Sequence, residues 1–119
     1  FQPNLDREAK LAFYRELTVL SVPAGYGEAF GLYVVEAMAS GVPVVAPNDA
    51  SFPELIGQSG AGALCEKGSA TALADALGQL LLDRERLANC AAAGRQAAAQ
   101  TYNIERMAES FATRLAKLA

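Results

Sequence analysis

The sequence predicts an α/β fold in which helices flank a parallel sheet. Three short runs rich in Val, Leu and Ala, at Leu17–Val22, Val42–Ala46 and Ala61–Glu66, have the length of buried strands and almost no charge. Each run leads through a loop into a helical stretch, the order that crossovers on a parallel sheet produce. A 52% hydrophobic content in 119 residues is enough to fill the core such a sheet needs. Together these observations describe a Rossmann-like sheet.

The elements follow in order. Residues 6–16, DREAKLAFYRE, place Leu11 and Tyr14 at helical spacing and Lys10 and Glu16 among solvated positions, which predicts an amphipathic helix. The first strand, LTVLSV, stops at Pro23, and the loop PAGYGEAFG after it is rich in glycine. From Phe30 to Ser40 the pattern is apolar on nearly every side, with Glu36 the only charge, so this helix is expected to be buried; Gly41 and Pro43 end it. After the second strand come the loop Pro47–Ala50, a short helix at Phe52–Ile56, a Gly-Ser turn and the third strand. Ser69 is a good N-cap for a helix striped by Leu73, Leu77, Leu80 and Leu81. Helices near 84–100 and 104–118, the latter capped by Asn103, close the chain. Three strands are few for such a sheet, and we expect the unpaired edge to take further strands from additional chain or from a second copy.

Composition excludes several functions. A net charge of −3 leaves no electrostatic footprint for nucleic acid. The absence of histidine removes the usual general base, the Ser-His and Cys-His nucleophile pairs and most zinc sites. Cys65 and Cys90 have no metal-ligand spacing, and free thiols in a reducing compartment are the expectation. No apolar run reaches the roughly 20 residues of a membrane span. The chain opens on Phe1 rather than methionine, and we expect it to be part of something longer.

Ligands of open α/β sheets sit beyond the carboxyl ends of the strands, where amides of the next helix point at them. That position falls on Pro23–Glu28 and on Ala29, Phe30, Gly31 and Leu32, with Gly31 letting an anion approach the backbone. Glu28 and Glu36 bracket the helix start. Eight residues at a rise of roughly 1.5 Å separate them by about 12 Å if helical throughout, comparable to the ribose-to-hexose span of a nucleoside diphosphate sugar. A buried Glu36 beside Val34, Val35, Ala37 and Met38 requires partners, and ligand hydroxyls would serve; the alternative is a solvated sliver of helix. For Glu28 the alternative is an exposed loop acid.

The string EAFGLYVVEAMASGVPVVAP resembles the donor-site motif of retaining GT-B glycosyltransferases of family four, also called group 1. The resemblance extends upstream through the Lys10 helix and LTVLSVP, and downstream through FPELI, GAGAL and the leucine-striped helix. It implies that residues 1–119 belong to the C-terminal nucleotide-sugar-binding domain, with 84–119 as its C-terminal helices, and that the first part of this domain and the N-terminal acceptor domain lie elsewhere. It implies sugar transfer from a nucleoside diphosphate sugar to an acceptor hydroxyl with retention, no metal or other cofactor, a cytoplasmic location with peripheral contact at the inner membrane face for the intact protein, and a fragment inactive by itself. It also assigns residues. Glu28 contacts the donor sugar near its reacting carbon and is the catalytic candidate. The backbone of Ala29, Phe30, Gly31 and Leu32 meets sugar and diphosphate, and Glu36 binds the ribose hydroxyls.

Two departures stand out. Ala50 and Ser51 occupy positions where the family often has two glycines, which questions a tight loop there. From Glu16 through Glu66 there are six acidic residues and no Lys or Arg, so phosphate-neutralising cations are expected from outside this chain. Two other readings compete. Gly25, Gly27 and Gly31 followed by Asp49 fit a dinucleotide-binding turn, although that leaves Glu28 and Glu36 without a task. A non-catalytic interaction module would leave both glutamates solvated.

Overall fold

A computed structural model describes residues 4–118. Helix α1 (Arg7–Glu16) begins where Asp6 accepts a hydrogen bond from the Ala9 amide at 2.8 Å. Strands β1 (Leu20–Ser21), β2 (Val44–Pro47) and β3 (Gly62–Cys65) form a parallel sheet in the order β1-β2-β3. Helix α2 (Leu32–Ala39) joins β1 to β2, and a π-helical turn at Pro53–Gly57 joins β2 to β3. Helices α3 (Ala70–Leu82), α4 (Arg84–Gln100) and α5 (Ile104–Leu118) follow.

The predicted elements are present with shifted bounds. β1 is shorter than expected, although the Val22 amide still donates to Val45 O at 2.9 Å. The short helix at 52–56 is instead the π-helical turn, whose first residue is Pro53. Helix α2 begins at Leu32 rather than Phe30, because Gly31 sits in the left-handed region at φ 81° and terminates the helical conformation there. Ser69 caps α3 by accepting from the Ala72 amide at 3.1 Å, and Asn103 accepts from the Arg106 amide at 2.8 Å ahead of α5.

The core lies on both faces of the sheet. All four residues of β2 are buried, as a central strand requires, and their side chains alternate between two clusters. Val44 and Ala46 pack with Tyr14, Val34, Met38, Phe52 and Ile56; Val45 packs with Leu80 and Cys90 and with the leucines of α3. The β2–β3 register pairs Val44 with Gly62, and a Cβ at position 62 would lie 1.8 Å from the Val44 carbonyl oxygen. Only glycine permits that approach. Helix α4 crosses α2 at Gly94, where a Cβ would meet Met38 and Ala61 at 3.4 Å.

Helix α5 behaves differently. None of its described residues is buried, and Ile104, Met107, Phe111, Leu115 and Leu118 form an exposed apolar stripe. No helix among the described residues is long and apolar enough to cross a membrane.

Candidate functional site

Two turns meet at the carboxyl end of the sheet. The first, Pro23–Gly31, follows β1; the second, Asn48–Phe52, follows β2. They are tied together by the Ser51 amide, which donates to Glu28 O at 3.2 Å. Gly27 lies under Ala50, whose Cβ a side chain at position 27 would meet at 3.5 Å. Ala50 adopts φ 52°, the left-handed conformation that glycine takes readily. The tight loop that the missing glycines called into question therefore forms, with alanine carrying the strain.

Gly31 opens α2 without a side-chain cap, so the amides of Leu32 and Tyr33 have no partner within the helix. The Glu28 carboxylate folds back instead onto the amide of Phe30, which donates to Oε1 at 3.3 Å. Tyr26, Phe30 and Leu32 surround this turn with 71%, 57% and 61% of their surface exposed. The charge of Glu28 also reaches Tyr33, whose hydroxyl is pushed up first by burial and then by that carboxylate. Amides, a carboxylate and exposed aromatic surface thus converge at one helix entry, a combination able to hold an anion beside a polyol.

Glu36 is engaged elsewhere. Its carboxylate receives Lys10 Nζ at 2.9 Å on Oε1, and the Tyr14 hydroxyl lies 3.1 Å from Oε2. Both partners come from α1, one turn apart; Lys10 keeps the solvated position that helical patterning predicts, with its ammonium turned onto Glu36. Burial, followed by the hydrogen bond to Glu36, raises Tyr14 well above the usual phenol range. Protein groups therefore meet Glu36's need for partners. The groove around it, about 490 Å³, is lined by Arg7, Lys10, Leu11, Tyr14, Ala39 and Ser40, and Glu28 is not part of its wall. The structure thus brings Glu28, Ala29, Phe30, Gly31 and Leu32 together in one turn, and places Glu36 against α1.

A second cleft, of about 230 Å³, lies across the strand ends between Val22–Gly25, Pro47 and the start of α3 at Ser69. Beside it Lys67 pairs with Asp49 at 2.7 Å, and this contact lowers the Asp49 carboxyl. Asp49 is the acid that a dinucleotide turn would direct to a ribose, and it is already held. Among the described residues, no three His, Cys, Asp or Glu side chains converge on a point that could hold a metal ion.

Sequence reasoning missed Tyr14 and Ser51. Tyr14 reads as apolar helical patterning, although its position four residues after Lys10 on the same face was a signal. Ser51 registers in sequence only as a substituted glycine.

Residues 1–97 match the family model described as Glycosyl transferases group 1. The chain is 36% identical over 86 residues to the N-acetyl-alpha-D-glucosaminyl L-malate synthase of Bacillus anthracis, covering 72% of this chain and 23% of that protein. It is 42% identical over 88 residues to the D-inositol 3-phosphate glycosyltransferase of Nocardia farcinica, covering 73% and 19%. Among solved structures, the sucrose-phosphate synthase of Thermosynechococcus elongatus aligns with a TM-score of 0.86 at 30% identity, over 99% of this chain and 29% of that one. Anabaena HepE, solved in complex with UDP, aligns with a TM-score of 0.80 at 25% identity, over 88% and 29%. The chain spans less than a third of the length of each of these relatives.

Proposed function

The chain belongs to the group 1 glycosyl transferases, and on that premise we propose that it is the C-terminal, donor-binding portion of an enzyme that moves a sugar from a nucleoside diphosphate to an acceptor hydroxyl with retention. The observation that carries this reading is the Gly31 entry to α2: a left-handed turn whose following amides lack a side-chain cap, with Glu28 folded against it. The diphosphate lies against the uncapped amides of Leu32 and Tyr33, where the helix dipole favours the negative charge that grows as the sugar leaves. Glu28 releases the Phe30 amide and meets the sugar near its reacting carbon. Glu36, held by Lys10 on Oε1 and by Tyr14 on Oε2, accepts from the ribose hydroxyls on the lone pairs that those contacts leave. No metal is required in this scheme, because amides and basic side chains outside residues 1–119 balance the phosphates. The reaction is cytoplasmic, and this chain alone does not catalyse it.

The test is a screen of the full-length protein against UDP- and GDP-linked hexoses, reading binding by calorimetry and nucleoside diphosphate release by a coupled assay. Micromolar to millimolar donor binding that weakens at least tenfold in Glu28→Ala is the expected result. Wild-type protein that binds none of these donors would remove the proposal.

A further inference from the structure

We propose that Ser51 is a positioning residue that takes over the Glu28 carboxylate when a donor occupies the Gly31 turn; this rests on the function proposed above. Four observations converge on it. The Ser51 hydroxyl is shielded from solvent and has no hydrogen-bond partner among the described residues. Such groups are rare in folded proteins, since burial costs a hydroxyl its water. The hydroxyl is held in place, because its own amide is bonded to Glu28 O at 3.2 Å and its neighbour Ala50 stands at φ 52°. Finally, Glu28 Cγ and Ser51 Oγ approach the same point, the space left by the missing side chain of Gly31, at 3.5 and 3.7 Å.

The partner that Glu28 now uses is the one a donor takes. Its bond from the Phe30 amide, at 3.3 Å, is long beside the roughly 2.7–2.9 Å of a good charge-assisted contact. When a donor oxygen accepts that amide, Glu28 is left with a charge to satisfy. Rotation over Gly31 brings the carboxylate toward the Ser51 hydroxyl, which donates to it. One carboxylate oxygen is then fixed by Ser51, and the other faces the sugar. The unpaired hydroxyl is a reserved donor, used only in the loaded state, and glycine at position 31 keeps a Cβ out of the point that Glu28 and Ser51 approach and that Leu55 Cδ1 borders at 3.1 Å.

The experiment is steady-state donor turnover by the full-length protein on the donor its screen identifies. Ser51→Ala and Ser51→Gly, which both lack the hydroxyl, are expected to lower kcat about tenfold, the loss of one hydrogen bond to a charged group, with KM for the donor changed less than threefold. Ser51→Thr, which keeps the hydroxyl, retains kcat within threefold. In a Glu28→Ala background, Ser51→Ala has no further effect. The melting temperature separates this role from a structural one, since Ser51→Ala removes an unsatisfied group and leaves Tm unchanged or raised. Active wild-type protein with unchanged kcat in both truncations overturns the Ser51 role alone. Parallel losses of kcat and Tm would also overturn it. Wild-type protein without donor turnover sinks the functional reading, and this inference falls with it.

Discussion

Replacing Gly31 with alanine isolates the turn on which the candidate site depends. At φ 81°, an L residue pays about 1–2 kcal/mol for the left-handed conformation. The new Cβ would also stand 3.1 Å from Leu55 Cδ1, inside the roughly 3.5–4.0 Å of a comfortable carbon contact. Leu55 is only 4% exposed, so it retreats by leaving its preferred rotamer, at about 0.5–1.5 kcal/mol. The two terms together predict a destabilisation of about 1.5–3.5 kcal/mol, or a fall in Tm of roughly 10 °C for a domain of this size. Urea titration followed by circular dichroism measures it. Ala50→Gly supplies the reciprocal experiment: alanine already bears the same strain there, so relieving it gains about 0.5–1 kcal/mol after the extra chain entropy of glycine is counted. The two turns share the bond from the Ser51 amide to Glu28 O, so the double variant is expected to deviate from additivity. A Gly31→Ala cost below about 0.5 kcal/mol would refute the reasoning, because the turn could then form without left-handed backbone.

Other perturbations address separate parts of the fold. Gly62→Ala forces β3 away from the Val44 carbonyl, and an unfolding free energy lowered by about 4 kcal/mol or more, or loss of cooperative unfolding, is expected in the same urea titration. Tyr14 is raised by burial and by Glu36, so its stabilising share is complete below the ordinary phenol pKa near 10 and is lost as pH rises through the folded value. Tyr14→Phe should therefore cost about 1–2 kcal/mol at pH 7 and flatten the alkaline decline, as read from urea midpoints at successive pH values. Asp49 is lowered by Lys67, so its contribution holds above the ordinary carboxylate range and fades as pH falls through the folded value; Asp49→Asn should flatten that acid limb. Phe111→Ser on the exposed face of α5 should leave the unfolding free energy within about 0.5 kcal/mol of the parent in the urea titration.

The α/β class and every helix and strand were legible because each depends on short-range pattern: branched apolar runs for the strands, the Ser69 and Asn103 caps, the leucine stripe of α3. Bounds drifted where tertiary contacts decide, as at Gly31, whose left-handed backbone delays α2 by two residues, and at Pro53, where the turn is π-helical. The turn from Glu28 to Leu32 could be read because it is contiguous. The Lys10–Tyr14–Glu36 cluster could not, since its members lie up to 26 residues apart and α1 reads as an ordinary amphipathic helix. Ser51 was invisible as chemistry for a related reason: nothing in a lone serine shows that its hydroxyl ends up shielded and unpaired.

The position of β1 at the margin of the sheet has a consequence for how tightly anything can be held above it. Its amides at Leu20 and Val22 turn inward to Pro43 and Val45, while Ser21 faces outward on the exposed flank. A strand added there would run about 4.8 Å away, and in parallel orientation it would deliver its own trailing loop alongside Pro23. Edge occupancy and ligand grip would then be coupled quantities: whatever completes the β-ladder also builds the facing wall of the binding mouth, so each would strengthen the other by mass action.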